Sequence, residues 1–256
     1  MYQYIYDKFL SEKRFAKELA EVENRLTDLG ITGRIDRMHP LKSLRESVDE
    51  GIRQGVKTIV AVGSDETLKK LLDVVPEKGL VLGFIPMLAP SNFATALGIP
   101  EGVLACDVLS ARLTETLDIG RVNGQYFLTD VYFSGDDVTL ECDGRFRVSF
   151  VRGGKISICN IASFGSEETR HLGNPFDGYL EAVLAPVSER GFFRRVQLEQ
   201  SVLLLRRVVA RAKGPFKLTA DGRELEQETA EIDIAERPVR LIIGKDRVFA
   251  AAPLAT

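Results

Sequence analysis

Tryptophan is absent from this sequence, and only 2 histidines, 3 cysteines and 3 methionines occur in 256 residues. Cys106, Cys142 and Cys159 are scattered, with no C-x-x-C pair, and His39 and His171 are too few for a zinc site at ligand spacing. A disulfide framework and a zinc centre are therefore excluded, and a reducing, cytoplasmic setting is expected. A surplus of one charge is lacking as well. Against 37 acidic side chains stand 34 basic ones, a net charge of −3. No basic excess is available to neutralise phosphates along a strand, so no nucleic-acid partner is expected. No uninterrupted apolar run approaches the ~18 residues of a membrane helix, so no transmembrane segment is expected. The opening Met1-Tyr-Gln-Tyr-Ile-Tyr-Asp-Lys has neither a basic start nor a long apolar core and is not expected to act as a secretory signal. Internal repeats and low-complexity linkers are also missing.

What is present is an ordinary globular composition, 45% hydrophobic and 28% charged. A chain of this length makes one or two domains and buries roughly 70–75% of its unfolded surface without covalent staples. The first part alternates strand-like and helix-like segments. Tyr2 to Tyr6 reads as a strand. Phe15, Leu19, Val22, Leu26 and Leu29 recur at helical spacing before Gly30, predicting a helix over ~12–29. Ile31 to Arg37 reads as a second strand, and Ser43 with Glu46 as a capping box opening a helix that Gly55 ends. Thr58 to Val62 and Leu80 to Ile85 are continuous apolar runs, the mark of strands buried on both faces. Helices are expected over Leu68 to Val75 and near Asn92 to Leu97. This order predicts an open, mostly parallel α/β sheet over residues 1–112.

From about Leu113 the segments shorten and alternate apolar with polar residues. Asn123-Gly124, Asp143-Gly144, Gly153-Gly154 and Asp221-Gly222 are hairpin-type dipeptides. Residues 113–244 are expected to form an antiparallel β-sandwich, with 245–256 as a tail returning to the first domain.

In open parallel sheets, ligands bind beyond the carboxyl ends of the strands. Two polar turns fall there, Gly63 to Thr67 and Leu88 to Asn92, each leading into a helix whose free N–H groups suit a phosphate. Neither a P-loop nor a G-x-G-x-x-G fingerprint is present. Asp65, Ser91 and Asn92 also suit plain helix caps, and Asp143, Asp177 and Asp221, each before Gly, suit plain turns. Arg194, Arg195, Arg206, Arg207 and Arg211 are read as a solvated strand face, Cys106 and Cys159 as buried fillers, and His171 as solvated.

Val62-Gly-Ser-Asp-Glu-Thr-Leu resembles the G-G-D-G-T signature of the diacylglycerol kinase catalytic domain and its lipid-kinase relatives, with NAD kinases more distant. Gly83-Phe-Ile-Pro-Met-Leu-Ala-Pro-Ser-Asn-Phe-Ala-Thr-Ala-Leu-Gly-Ile-Pro100 is similar to that family's G-I-I-P-L-G-T-G-N-D-F-A-R-A-L-G-I-P. The likeness continues in family order at Leu117 to Leu128, Ile158 to Gly165, Asn174 to Leu180 and Ala220 to Glu224. The resemblance implies a two-domain kinase that encloses ATP and, with Mg²⁺, moves the γ-phosphoryl group to a lipid hydroxyl. It implies that Gly63, Ser64, Asp65, Thr67, Ser91 and Asn92 receive the nucleotide, and that Asp65, Asp118 and Asp177 serve a metal. Asp65 and Asp221 are the implied catalytic residues, Asp221 as base toward the acceptor. A lipid at a membrane surface and a second copy of the chain, in a homodimer, are the candidate partners.

The departures from the motifs are specific. Ser64 and Glu66 stand where the family has glycines, and Glu66 adds a negative charge that costs on the order of 4 kcal/mol against another at 4 Å. Pro90 offers no N–H. Asn92 replaces a carboxylate, Asp221-Gly is followed by Arg223 instead of Glu, and Tyr6-Asp7-Lys8-Phe9 replaces the family's N-P-x-S-G loop. A catalytically impaired nucleotide binder and a kinase of a soluble acceptor are the alternative readings.

Overall fold

The computed structural model describes residues 1–38, 43–151, 153–186, 190–191, 194–195 and 200–249, the backbone alone at 190, 191, 194 and 195. His39, the side chains of Arg194 and Arg195, and the end of the tail lie outside the described residues. The strands in chain order are β1 (Tyr2–Tyr6), β2 (Gly33–Arg37), β3 (Thr58–Gly63), β4 (Val81–Pro86), β5 (Thr114–Leu117), β6 (Gly120–Val122), β7 (Gln125–Phe127), β8 (Asp130–Ser134) and β9 (Thr139–Cys142). They continue as β10 (Phe146–Ser149), β11 (Gly154–Cys159), β12 (Leu180–Pro186), β13 (Arg190–Gly191), β14 (Arg194–Arg195), β15 (Ser201–Leu205), β16 (Arg207–Ala220), β17 (Arg223–Ile234) and β18 (Val239–Ile242). The helices are α1 (Ala16–Asp28), α2 (Leu44–Arg53), α3 (Asp65–Leu72), α4 (Val75–Lys78), α5 (Asn92–Leu97) and α6 (Ala105–Ala111).

The chain divides into two compact units. Unit 1 takes in Met1–Leu117 and Arg237–Val248, and unit 2 takes in Asp118–Glu236 with Phe249.

Unit 1 is a six-stranded sheet in the order β2-β1-β3-β4-β18-β5. Strands β1 to β4 and β18 run parallel, and β5 pairs antiparallel with β18. All residues of β3 and β4 are buried, as their unbroken apolar runs predict for strands covered on both faces. The α1 stripe buries Leu19, Val22 and Leu26. Ser43 precedes α2 but makes no side-chain cap bond. α3 starts at Asp65, three residues before the expected start, because Thr67 Oγ1 accepts from Ser64 N at 3.1 Å and closes the first turn. The stretch Asn92–Ala111 meets the length and composition of a membrane span, with mean hydropathy 1.3, yet half of it is buried inside the protein. It is also broken at Gly98, the left-handed cap of α5, and at Pro100.

Unit 2 is antiparallel throughout its main sheet, in the order β15-β12-β11-β8-β16-β17-β6-β7, with β9 and β10 attached through β16. Its core gathers Phe127, Val131, Phe133, Leu140, Ile156, Ile158, Ala182, Val208 and Ile232 from one face of these strands. Three of the four expected dipeptides close hairpins, at 123–124, 143–144 and 221–222. Gly153-Gly154 does not, since β11 pairs with β8 and β12 and not with β10. Close approach explains these glycines instead: a Cβ at Gly154 would meet the Phe150 ring at 2.5 Å.

Candidate nucleotide site

The carboxyl ends of β1, β3 and β4 lie side by side in register, with Tyr6 opposite Val62 and Gly63 opposite Pro86. The turns that follow are therefore neighbours, and hydrogen bonds join them. Met87 N donates to Gly63 O at 2.7 Å, and Asp7 N donates to Val62 O at 2.9 Å.

Asp65 is the centre of the second connection. Its carboxylate accepts from Ser91 Oγ and, at 3.0 Å, from Asn92 N. Ser91 Oγ in turn accepts from Ala94 N at 2.9 Å and caps α5. The six residues assigned to the nucleotide, Gly63, Ser64, Asp65, Thr67, Ser91 and Asn92, thus occupy one patch at one end of the unit 1 sheet. Glu66 is exposed and forms an ion pair with Lys69 one turn on. This pairing offsets the charge that the sequence places in the first loop.

Gly63 cannot carry a side chain here. A Cβ would fall 2.5 Å from Thr67 Oγ1 and 2.8 Å from Asp7 Cβ. Asp7 is the site member that the motifs do not reveal. Thr67 Oγ1 donates to Asp7 Oδ2 at 2.5 Å, across sixty positions of sequence. The available signal is its place directly after a buried strand, where the N-P-x-S-G loop would stand.

The remaining candidates form two arrangements inside unit 2. Asp118 and Asp177 meet at the turn 174–179. Gly178 N donates to Asp118 Oδ2 at 2.8 Å, while Tyr179 N and Asn174 Nδ2 donate to Asp177 at 3.0 and 3.1 Å. Glu181 holds the same turn, accepting from Asn174 N at 3.0 Å, and its buried Oε2 faces no donor. Burial pushes the Glu181 carboxyl up to about 7 and raises Asp118 as well. Asp221 sits in the β16–β17 turn with a left-handed φ of 48°. It accepts from Leu128 N and Thr129 N at 2.8 Å each and from Thr129 Oγ1 at 2.5 Å. Only 8% of the residue is exposed, and burial pushes its carboxyl up to about 6. Asn160 links the two arrangements by donating to Asp118 O and Leu128 O.

Within either unit these carboxylates form no all-protein cage for Mg²⁺, an ion that one or two carboxylates would hold together with substrate phosphates. Protein donors already engage both oxygens of Asp65 and both of Asp177. Among the described residues no three Asp, Glu, His or Cys side chains group as metal ligands. Cys106 and Cys159 are buried, His171 is half-buried, and Arg206 and Arg207 are exposed.

Comparison with known proteins agrees with the geometry. The profile of the diacylglycerol kinase catalytic domain matches residues 3–122. A diacylglycerol kinase of Bacillus subtilis (strain 168) is 30% identical over 128 residues, 48% of this chain and 42% of that protein. A diacylglycerol kinase of Staphylococcus aureus (strain bovine RF122 / ET3-1) is 26% identical over 127 residues, 48% of this chain and 40% of its own. The matched part therefore spans less than half the length of these relatives. The crystal structure of a diacylglycerol kinase from Bacillus anthracis str. Sterne superposes with a TM-score of 0.73 at 14% identity, covering 96% of this chain and 98% of that one. At that identity the likeness establishes the shared fold of an α/β unit followed by an antiparallel β unit.

Proposed function

We propose, from the match of residues 3–122 to the diacylglycerol kinase catalytic domain, that this chain is an ATP-dependent lipid kinase of that type. The carrying observation is that Asp65 ties the turns after β3 and β4 into a single surface at the carboxyl edge of a parallel sheet. ATP is placed with its phosphates against Gly63 to Thr67 and Met87 to Asn92. The acceptor hydroxyl oxygen bonds to the γ-phosphorus as the bond from that phosphorus to the ADP oxygen breaks, and the hydroxyl proton is released. Positioning and charge stabilisation dominate such transfers. Magnesium is supplied with the nucleotide, and no step is routed through it. We assign Asp221 to pinning its own turn, since three donors fill its oxygens. The working place is the cytoplasm, at a membrane surface that presents the lipid.

A second reading, a nucleotide binder without turnover, is favoured by the same clamp, because Asp65 spends its charge on Ser91 and Asn92. Labelled ATP, Mg²⁺ and short-chain diacylglycerol separate the two, with wild type beside Asp65→Ala. Phosphorylated lipid that falls at least a hundredfold in the variant supports the kinase. A melting point raised by ATP without turnover supports the binder, and no response to ATP overturns both.

A further inference from the structure

Two donors of the first turn, the Ser64 N–H and the Thr67 hydroxyl, are taken from within. A strand-to-helix turn receives phosphate by leaving backbone N–H and hydroxyl donors free for it. Here Ser64 N donates to Thr67 Oγ1, and the one proton of that hydroxyl goes to Asp7 Oδ2 at 2.5 Å. Asp7 is held firmly enough to impose this. Its backbone N–H extends the β1–β3 ladder, and its Oδ1 caps a 3₁₀ turn over Lys8–Ser11 by accepting from Phe9 N at 3.3 Å. Thr67 is fully buried, and the pair closes over Gly63 with no room for a Cβ. The group that takes the turn's hydroxyl is therefore an anion.

We propose that Asp7 is a specificity-determining residue that sets how much phosphate charge the site accepts. The inference rests on the reading of this surface as a nucleotide site. A phosphate oxygen reaching Thr67 must displace the Asp7 carboxylate from the hydroxyl and then remain beside its negative charge. That repulsion grows with each charge on the ligand, whereas an uncharged nucleoside avoids it. Asp7 thus biases the site against the polyphosphate part of a ligand and leaves recognition of the nucleoside part unchanged.

The test compares dissociation constants of ATP and adenosine on the full chain by titration calorimetry, for wild type, Asp7→Asn and Asp7→Ser. Both substitutions keep a side chain able to cap the 3₁₀ turn, and melting curves identify the folded variants. The expected result is that the preference for ATP over adenosine rises about tenfold or more in both variants. A structural role alone would shift the melting point and leave this ratio unmoved. An unchanged or lowered ratio in folded variants overturns the role of Asp7 while the nucleotide site stands. If wild type and variants bind neither ligand, the nucleotide reading fails and this inference fails with it.

Discussion

The acidic side chains of the two units do different work. In unit 1, Asp7 after β1 and Asp65 at the start of α3 stand half-buried and hold hydroxyl and N–H groups of neighbouring turns. In unit 2, Asp130, Glu181 and Asp221 are buried, and burial raises all three. Asp130 accepts from Ser157 and Ser163 hydroxyls and from Phe164 and Gly165 N–H groups, so it fastens a connection onto β8. The difference shows that the part a carboxylate plays is set by where the fold places it. At the rim of a parallel sheet a carboxylate decides what a turn can offer a ligand, whereas inside an antiparallel unit it replaces the missing partners of loop N–H groups.

Equivalent truncations sharpen this contrast. Asp221→Ala strands the N–H groups of Leu128 and Thr129 in the interior, and a loss of about 3 kcal/mol or more in denaturant unfolding is expected. Gly63→Ala forces Thr67 and Asp7 apart, and a loss of about 1–3 kcal/mol is expected from overpacking. Asp65→Ala leaves the exposed Asn92 N–H to water and deprives only the buried Ser91 hydroxyl of its acceptor, so about 1–2 kcal/mol is expected, with the larger consequence in ATP response. A loss for Asp65→Ala equal to that for Asp221→Ala would erase the distinction between the units.

A further contrast is a pH dependence. The Glu181 carboxyl, ordinarily at 4.5, titrates at about 7 when folded, so the folded chain binds more protons than the unfolded one between these values. Stability falls as pH rises through this window, and the whole cost is present above about 7. Glu181→Gln keeps the acceptor for Asn174 N and carries no charge, so its melting point is expected to exceed that of wild type by about 5 °C or more at pH 8. The two should converge near pH 4.5, and a constant gap across the range would contradict the assignment.

Much of unit 1 was legible because burial on both faces leaves apolar runs that periodicity cannot hide, as in Thr58 to Val62. The polar turn after that strand marked Gly63 to Thr67, and the turn after β4 marked Ser91 and Asn92. What escaped depends on register. Asp7 reaches Thr67 only because β1 lies beside β3, and Asp221 reaches Thr129 only because the β16–β17 turn meets the start of β8. Gly153-Gly154 has hairpin chemistry, but the packing of Phe150 against Gly154 accounts for its glycine and strand pairing goes elsewhere. The Ser43 box lacks its side-chain bond, while the bond that closes a first turn occurs at Ser64 and Thr67.

The central claim is that the turns after β3 and β4 act as one receiving surface for ATP. Hydrogen exchange of the full chain, with and without saturating ATP, tests it directly at the amides of 63–67 and 87–94. Slowing of both segments together is the result expected. Binding of ATP that leaves both at their free rates, or protects only segments elsewhere in the chain, would contradict the claim.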